Sequence, residues 1–185
     1  MATSGQVLTN PLTGDTYEFL ETAQDSQGKR VSVKMHVRTK GKLVPDHLHA
    51  LQDETFEVLD GELTILLENK IHVLHAGDSI KLPVNHPHNH YNAGTEPVVF
   101  IHRVSPALDF EFLVENLVGL SSDGKRPNGK GNLLQELVTL KYIDSKSFLA
   151  HIPIGVQKFL MNTLGPLGRA LGYRAIYKKY SGFEK

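Results

Sequence analysis

A mainly β domain, a sandwich or barrel of short antiparallel strands followed by a helical C-terminal extension, is the fold class the sequence predicts. Three observations predict it. Val31, Val33, Met35 and Val37 alternate with Ser32, Lys34, His36 and Arg38, the period-two pattern of a strand with one apolar and one polar face. From Gly41 to Val104, short runs rich in Val, Ile, Leu and Phe are separated by turn residues at Asp60-Gly61, Asn69-Lys70, Gly77-Asp78 and Ala93-Gly94-Thr95. Strands so short and closely spaced point to a sandwich or barrel rather than a parallel α/β sheet. After Pro106 the apolar spacing changes to that of helices.

In chain order, residues 1–14 read as an arm ending in the turn Asn10 to Gly14. Asp15 to Thr22 is a short strand, Asp25-Ser26-Gln27-Gly28 a turn, and the alternating segment completes a hairpin that leads into Gly41. Two apolar runs then flank a short polar turn, Glu68-Asn69-Lys70. Val98 to Ile101 is the last buried strand, stopped by Ser105-Pro106. Leu108 to Leu120 is expected to be helical, and 121–131 a polar, Gly-rich linker. Leu133, Leu134, Leu137, Val138 and Leu140 form the stripe of an amphipathic helix. Pro153 starts another helix, which Gly165-Pro166 is expected to interrupt, with Pro166 opening a final one. The β domain is therefore expected over 15–105 and a mostly helical extension, with the polar linker at 121–131, over 106–185.

Composition narrows the function classes. Lys+Arg and Asp+Glu are 20 each, so zero formal net charge gives no general electrostatic attraction to nucleic acid. The absence of cysteine excludes disulfides, thiolate-bound zinc and cysteine nucleophiles. The N-terminus lacks a signal-peptide pattern, and no run approaches the ~18 apolar residues of a membrane span. A cytoplasmic protein is the expectation.

The unusual count is ten histidines, most of them between residues 41 and 92. His47 and His49, two apart, project from one face of a strand, which lets a sheet offer two imidazoles to one ion. Glu54 reaches the same ion only if the chain bends at Ala50 to Asp53, and His88 must come from another strand. Three imidazoles and a carboxylate leave two positions open on a six-coordinate ion. Such a set suits one divalent transition metal, Fe, Mn, Ni, Co or Zn.

The spacing Gly41-x5-His47-x-His49-x4-Glu54-x6-Gly61 resembles the first cupin motif at every defined position. Gly77-x5-Pro83-x-Asn85-x2-His88-x3-Asn92 resembles the second, with Asn85 where the family usually has Gly. Asn tolerates positive φ best after Gly, so the turn is expected to survive. The resemblance implies a jelly-roll barrel, the double-stranded β-helix, with His47, His49, Glu54 and His88 as metal ligands in its mouth. It also implies a homodimer.

The other histidines are weighed beside these. His90 shares the strand face of His88 and is the candidate for moving protons or orienting a ligand. His86 is read as a rim residue, His36 and His102 as structural, and His72 and His75 as hairpin surface. Phe56, Tyr91 and Phe100 are read as core. In the tail, Lys158, Arg169, Arg174, Lys178, Lys179 and Lys185 face the single acid Glu184. Together with the Leu stripe they admit a membrane-surface segment. We take instead the reading in which the helices pack on the barrel or on a second subunit.

Functionally, the sequence predicts a metal-dependent enzyme on a small organic molecule, with oxygenase-type chemistry first and isomerase or lyase chemistry as the redox-inert counterpart. A non-catalytic module that binds a small molecule is the competing class, and a scaffold whose tail binds a partner is the third. No helix-turn-helix module precedes the barrel or stands out in the tail, so no nucleic-acid partner is expected.

Overall fold

Antiparallel pairing gathers the short strands into two sheets, in a computed structural model that describes residues 2–127 and 131–185. The strands are β1 (Val7–Thr9), β2 (Thr16–Glu21), β3 (Val31–Val37), β4 (Gly41–Lys42), β5 (His47–His49) and β6 (Asp53–Asp60). They continue with β7 (Glu62–Leu67), β8 (Lys70–His75), β9 (Ser79–Leu82), β10 (His88–Asn92), β11 (Val98–Ser105) and β12 (Ser147–Leu149). The helices are α1 (Phe110–Ser122), α2 (Leu133–Tyr142), α3 (Ile154–Ala170) and the single turn α4 (Lys178–Ser181). One sheet runs β1-β2-β3-β11-β6-β9; the other runs β12-β5-β10-β7-β8, with β4 also on β10. The architecture is the jelly-roll, double-stranded β-helix barrel with helices in its C-terminal region.

The alternation read from the sequence places the core. Val31, Val33, Met35 and Val37 are buried, and β11 repeats the rhythm with Val98, Phe100, His102 and Val104 inward. β6 adds Phe56 and Val58, and β7 adds Leu63 and Ile65. Glu68 and Asn69 both take positive φ (49° and 66°), as a two-residue hairpin between right-twisted strands requires. Gly61 ends β6 at φ 79°, where a Cβ would lie 2.7 Å from the Pro97 carbonyl oxygen. Only glycine fits there.

The structure departs from the sequence reading in four places. The arm of residues 1–14 contains β1, which pairs with β2 through Val7–Glu18, Leu8–Tyr17 and Thr9–Thr16. The mostly helical tail holds a strand that the sequence reading lacks: β12 pairs with β5, setting Ser147 opposite His49 and Leu149 opposite His47. Gly165-Pro166 does not interrupt α3, so no helix begins at Pro166, and the last helix is the short α4. A proline inside a helix costs about 3 kcal/mol. Packing of α3 on α2 outweighs it, with Gly168 so close that a Cβ would lie 2.7 Å from Val138 Cγ2. Pro166 and Asn162 are both exposed, leaving the unpaired carbonyl within reach of water. Of the linker stretch 121–131, Ser121 and Ser122 close α1, while 128–130 lie outside the described residues.

Packing ties the tail to the barrel. Phe110, Val114 and Val118 of α1, with Ala175 and Ile176, belong to the same core as the barrel strands. Leu48 of β5, Leu137 of α2, Phe148 of β12 and Met161 of α3 form a second cluster. Asp109 links these parts: it accepts from the Asp144 and Ser145 amides, both at 2.7 Å, and from Lys185 Nζ at 3.1 Å. Burial would raise its carboxyl, but these donors hold it below the ordinary value of 3.8. A carboxylate depressed in the folded state contributes stability above 3.8, lost as pH falls through its lowered folded value. Asp109→Asn is therefore expected to cost about 1–3 kcal/mol at pH 7 and to show a shallower loss as pH falls below 3.8 in urea unfolding series.

Candidate metal centre

The site is assembled by the crossing of the chain from one sheet to the other. β5 lies in the second sheet and β6 in the first, so the stretch between His49 and Asp53 passes from wall to wall. Gln52, 1% exposed, anchors that bend by donating from Nε2 to the carbonyls of Pro106 (2.8 Å) and Ala107 (3.2 Å). The bend brings Glu54 back toward His47 and His49. On the other side, β10 sets His88 directly opposite His47. Asn85, at φ 63° as its place in the second motif predicts, donates its backbone N–H to the His49 carbonyl at 2.8 Å. The turn that launches β10 is thus pinned to β5.

One ligand-type atom from each of His47, His49, Glu54 and His88 lies within 4.8 Å of the others. His49, Glu54 and His88 are buried and His47 is partly exposed. Two of the imidazoles are oriented by backbone: Nδ1 of His47 meets the Pro45 carbonyl at 2.8 Å, and Nδ1 of His88 meets the His86 carbonyl at 2.7 Å. A carbonyl only accepts, so each Nδ1 donates, and the neutral ring presents its Nε2 lone pair. His49 Nε2 stands 3.2 Å from Glu54 Oε1. His88 Nε2 stands 2.9 Å from Glu54 Oε2, yet neither atom has a hydrogen-bond partner of acceptable geometry among the described residues. Two buried lone-pair atoms held together without a proton aligned between them are the donor set a cation fits.

Charge in the cluster follows the same geometry. Burial would raise Glu54, but His49 and His102 hold it well below the usual carboxylate range. Burial and the neighbouring His49 push His47 down to about 4, which keeps it neutral and ready to bind metal near neutral pH. For His88, burial works downward, and the nearby Glu54 carboxylate outweighs it, so the pKa is raised.

Two further histidines stand behind the four. His102 Nε2 donates to Glu54 Oε1 at 2.9 Å, and its ring stacks on Phe56 at 4.4 Å between centroids. The structural reading of His102 missed this contact. The signal was present, because His102 falls in the inward rhythm Val98, Phe100, Val104. His90 faces inward beside Phe56 (4.6 Å) and His102 (5.5 Å), and its Nδ1 has no hydrogen-bond partner among the described residues. Burial, then His102, lowers its pKa to about 3, so its ring is neutral. The remaining histidines stay outside the cluster: His36 opposes the core face of β3, His86 lies 3.7 Å from Glu68, and His75 is exposed.

A cavity of about 570 Å³ opens beside the cluster and is lined by His47, His49, Glu54, His90 and His102 at one end. Residues of α1 and α2 form much of the rest of its wall. The helical extension thus builds part of the chamber that the barrel residues face. Among the described residues no helix is long and apolar enough to cross a membrane.

Comparison with known proteins agrees with this construction. The family model described as a cupin domain matches residues 33–104. Quercetin 2,3-dioxygenase from Bacillus subtilis (strain 168) is 30% identical over 79 residues, which span 43% of this chain and 23% of that enzyme. Among solved structures, a sugar phosphate isomerase from a cupin superfamily, from Silicibacter pomeroyi, is 20% identical with a TM-score of 0.43. That likeness covers 50% of this chain and 59% of the other. KdgF from Halomonas sp. is also 20% identical, with a TM-score of 0.45 over 53% of this chain and 84% of the other. The matched segment carries the two motifs, the histidine and glutamate cluster and most of the strands of both sheets, so residues 33–104 of this chain match a cupin domain.

Proposed function

We propose that this protein is a metal-dependent enzyme acting on a small organic molecule, with oxygenase-type chemistry the leading assignment. The observation that carries the reading is the 2.9 Å approach of His88 Nε2 to Glu54 Oε2 without a hydrogen bond, inside a buried set that includes His47 and His49. His47, His49, Glu54 and His88 are the residues assigned to hold one divalent ion. When bound, such an ion supplies Lewis acidity and, if redox-active, electron transfer to oxygen or substrate. The partial likeness to a quercetin dioxygenase favours the redox-active case.

The chain's own residues then have separable tasks. Pro45 and His86 fix two imidazoles through their carbonyls, and His102 fixes the Glu54 carboxylate. Phe56 and Phe100 flank His90 and limit the water that reaches it. His90 is assigned to accept or return a proton at the bound molecule. What supports this is its position on the cavity wall and its unpartnered Nδ1.

The test is elemental analysis of untagged protein beside His47→Ala and His88→Ala. One equivalent of metal per chain is expected, lost in both variants while the circular dichroism spectrum is retained. Iron directs the next assays to oxygen consumption, and zinc to isomerase or lyase substrates. Protein that takes up no metal after anaerobic reconstitution would end the metalloenzyme reading.

A further inference from the structure

We propose that the molecule taken by this site is uncharged and predominantly apolar, enclosed between the cluster and the helical extension; this rests on the enzyme reading above. The wall away from the cluster is supplied by Leu113, Val114, Leu117 and Val118 of α1, with Leu140 of α2 and Ile143 after it. In α1 these are positions i, i+1, i+4 and i+5, one face of a helix turned wholly to the chamber. A volume of about 570 Å³ suits a drug-sized molecule rather than a diatomic gas alone.

Away from the cluster, the charges lining the cavity disfavour an anion. Outside the histidines, the charged residues lining it are Asp15, Glu54, Glu136 and Arg126, three carboxyls and one guanidinium, among the described residues. Arg126 is engaged with Glu136. Asp15 is occupied by the amides of Arg38 (2.7 Å) and Thr39 (3.0 Å) and by the Thr39 hydroxyl (2.6 Å). No lysine lines the chamber among the described residues. A phosphate ester or polyol that left water for the face lined by Leu113, Val114, Leu117 and Val118 would give up hydrogen bonds that those side chains cannot return. An aromatic or alicyclic body carrying an oxygen toward His47, His49 and Glu54 would lose none of its solvation on the wall side and would gain apolar burial.

The experiment titrates the metal-loaded full chain with N-phenyl-1-naphthylamine, a neutral apolar fluorophore, and separately with glucose 6-phosphate. Saturable fluorescence at one fluorophore per chain is expected, with no displacement and no rise in melting temperature from glucose 6-phosphate. Val114→Trp, which fills the chamber, should weaken the fluorophore at least tenfold with metal content unchanged. Leu117→Phe, a smaller change, should weaken it several-fold and carries the test if the tryptophan variant misfolds. Equal fluorophore affinity in wild type and Leu117→Phe overturns the proposal, as does glucose 6-phosphate displacing the fluorophore. Chamber-dependent binding by a protein that takes up no metal would uphold this ligand class while removing the metalloenzyme reading.

Discussion

Glu54→Ala is expected to weaken metal binding by more than about 100-fold, since removing groups that merely orient ligands already costs about 10–100-fold. Three histidines depend on this one carboxylate: His49 at 3.2 Å, His88 at 2.9 Å and His102 at 2.9 Å. Glu54 is 2% exposed, and the alanine methyl offers the three imidazoles no acceptor in its place. The metal-free variant should also lose about 3–5 kcal/mol, the usual cost of taking one partner from a buried charged network. Glu54→Gln separates the two effects. Its amide keeps the volume and one oxygen acceptor for His102, which should reduce the stability loss to about 1–3 kcal/mol. The loss of charge should still abolish metal uptake. Metal titration and urea unfolding of both variants check this, and an unchanged metal stoichiometry in Glu54→Ala would remove Glu54 from the ligand set.

Truncation after Gly131 is the second large effect. The truncated chain should lose its cooperative unfolding transition and aggregate at room temperature. Removing β12 leaves β5, the strand that carries His47 and His49, as an open sheet edge. The same cut uncovers Leu48 by deleting Leu137, Phe148 and Met161. It also deprives α1 of Ala175 and Ile176, of the bond Asn116 Nδ2 donates to the Ala175 carbonyl and of the bond Asn116 Oδ1 accepts from the Tyr177 amide. Phe148→Asp tests the same dependence within the full chain. It should cost at least the ~3–5 kcal/mol of a Phe→Ala change in a core, because a charge is buried as well. Near-ultraviolet circular dichroism and metal content report the outcome. A truncated chain with the wild-type melting temperature and metal content would mean that the tail does not brace the ligand strand.

The legibility of this molecule varies by the range of the interaction. Strand β3 was readable because alternation is a local consequence of the pleat, and each of its inward positions sits beside a polar neighbour; β11 was readable as an apolar run, Val98 to Ile101. Asn85 was readable because one residue type solves one backbone problem. The continuity of α3 was not, since the cost of Pro166 is local while the α2 packing that outweighs it lies about thirty residues back in sequence. β12 was hidden for a related reason: Ser147-Phe148-Leu149 is too short to show a period, and it becomes a strand only because β5 offers it an edge. His102 fell between these cases. Its inward rhythm was visible, but the partner that gives it a task sits 48 residues away.

By itself, then, the sequence determined a sandwich or barrel of short strands, through period-two burial and turn chemistry, while the resemblance of its two motifs implied the jelly-roll barrel and His47, His49, Glu54 and His88 as one candidate set. Tertiary structure alone decided that the set converges from opposite sheets, that His102 steadies Glu54, and that the tail walls the cavity and pairs with the strand of His47 and His49. Patterns along the chain report which face of an element is buried. What that face is buried against depends on contacts between residues far apart in sequence, which only the folded chain brings together.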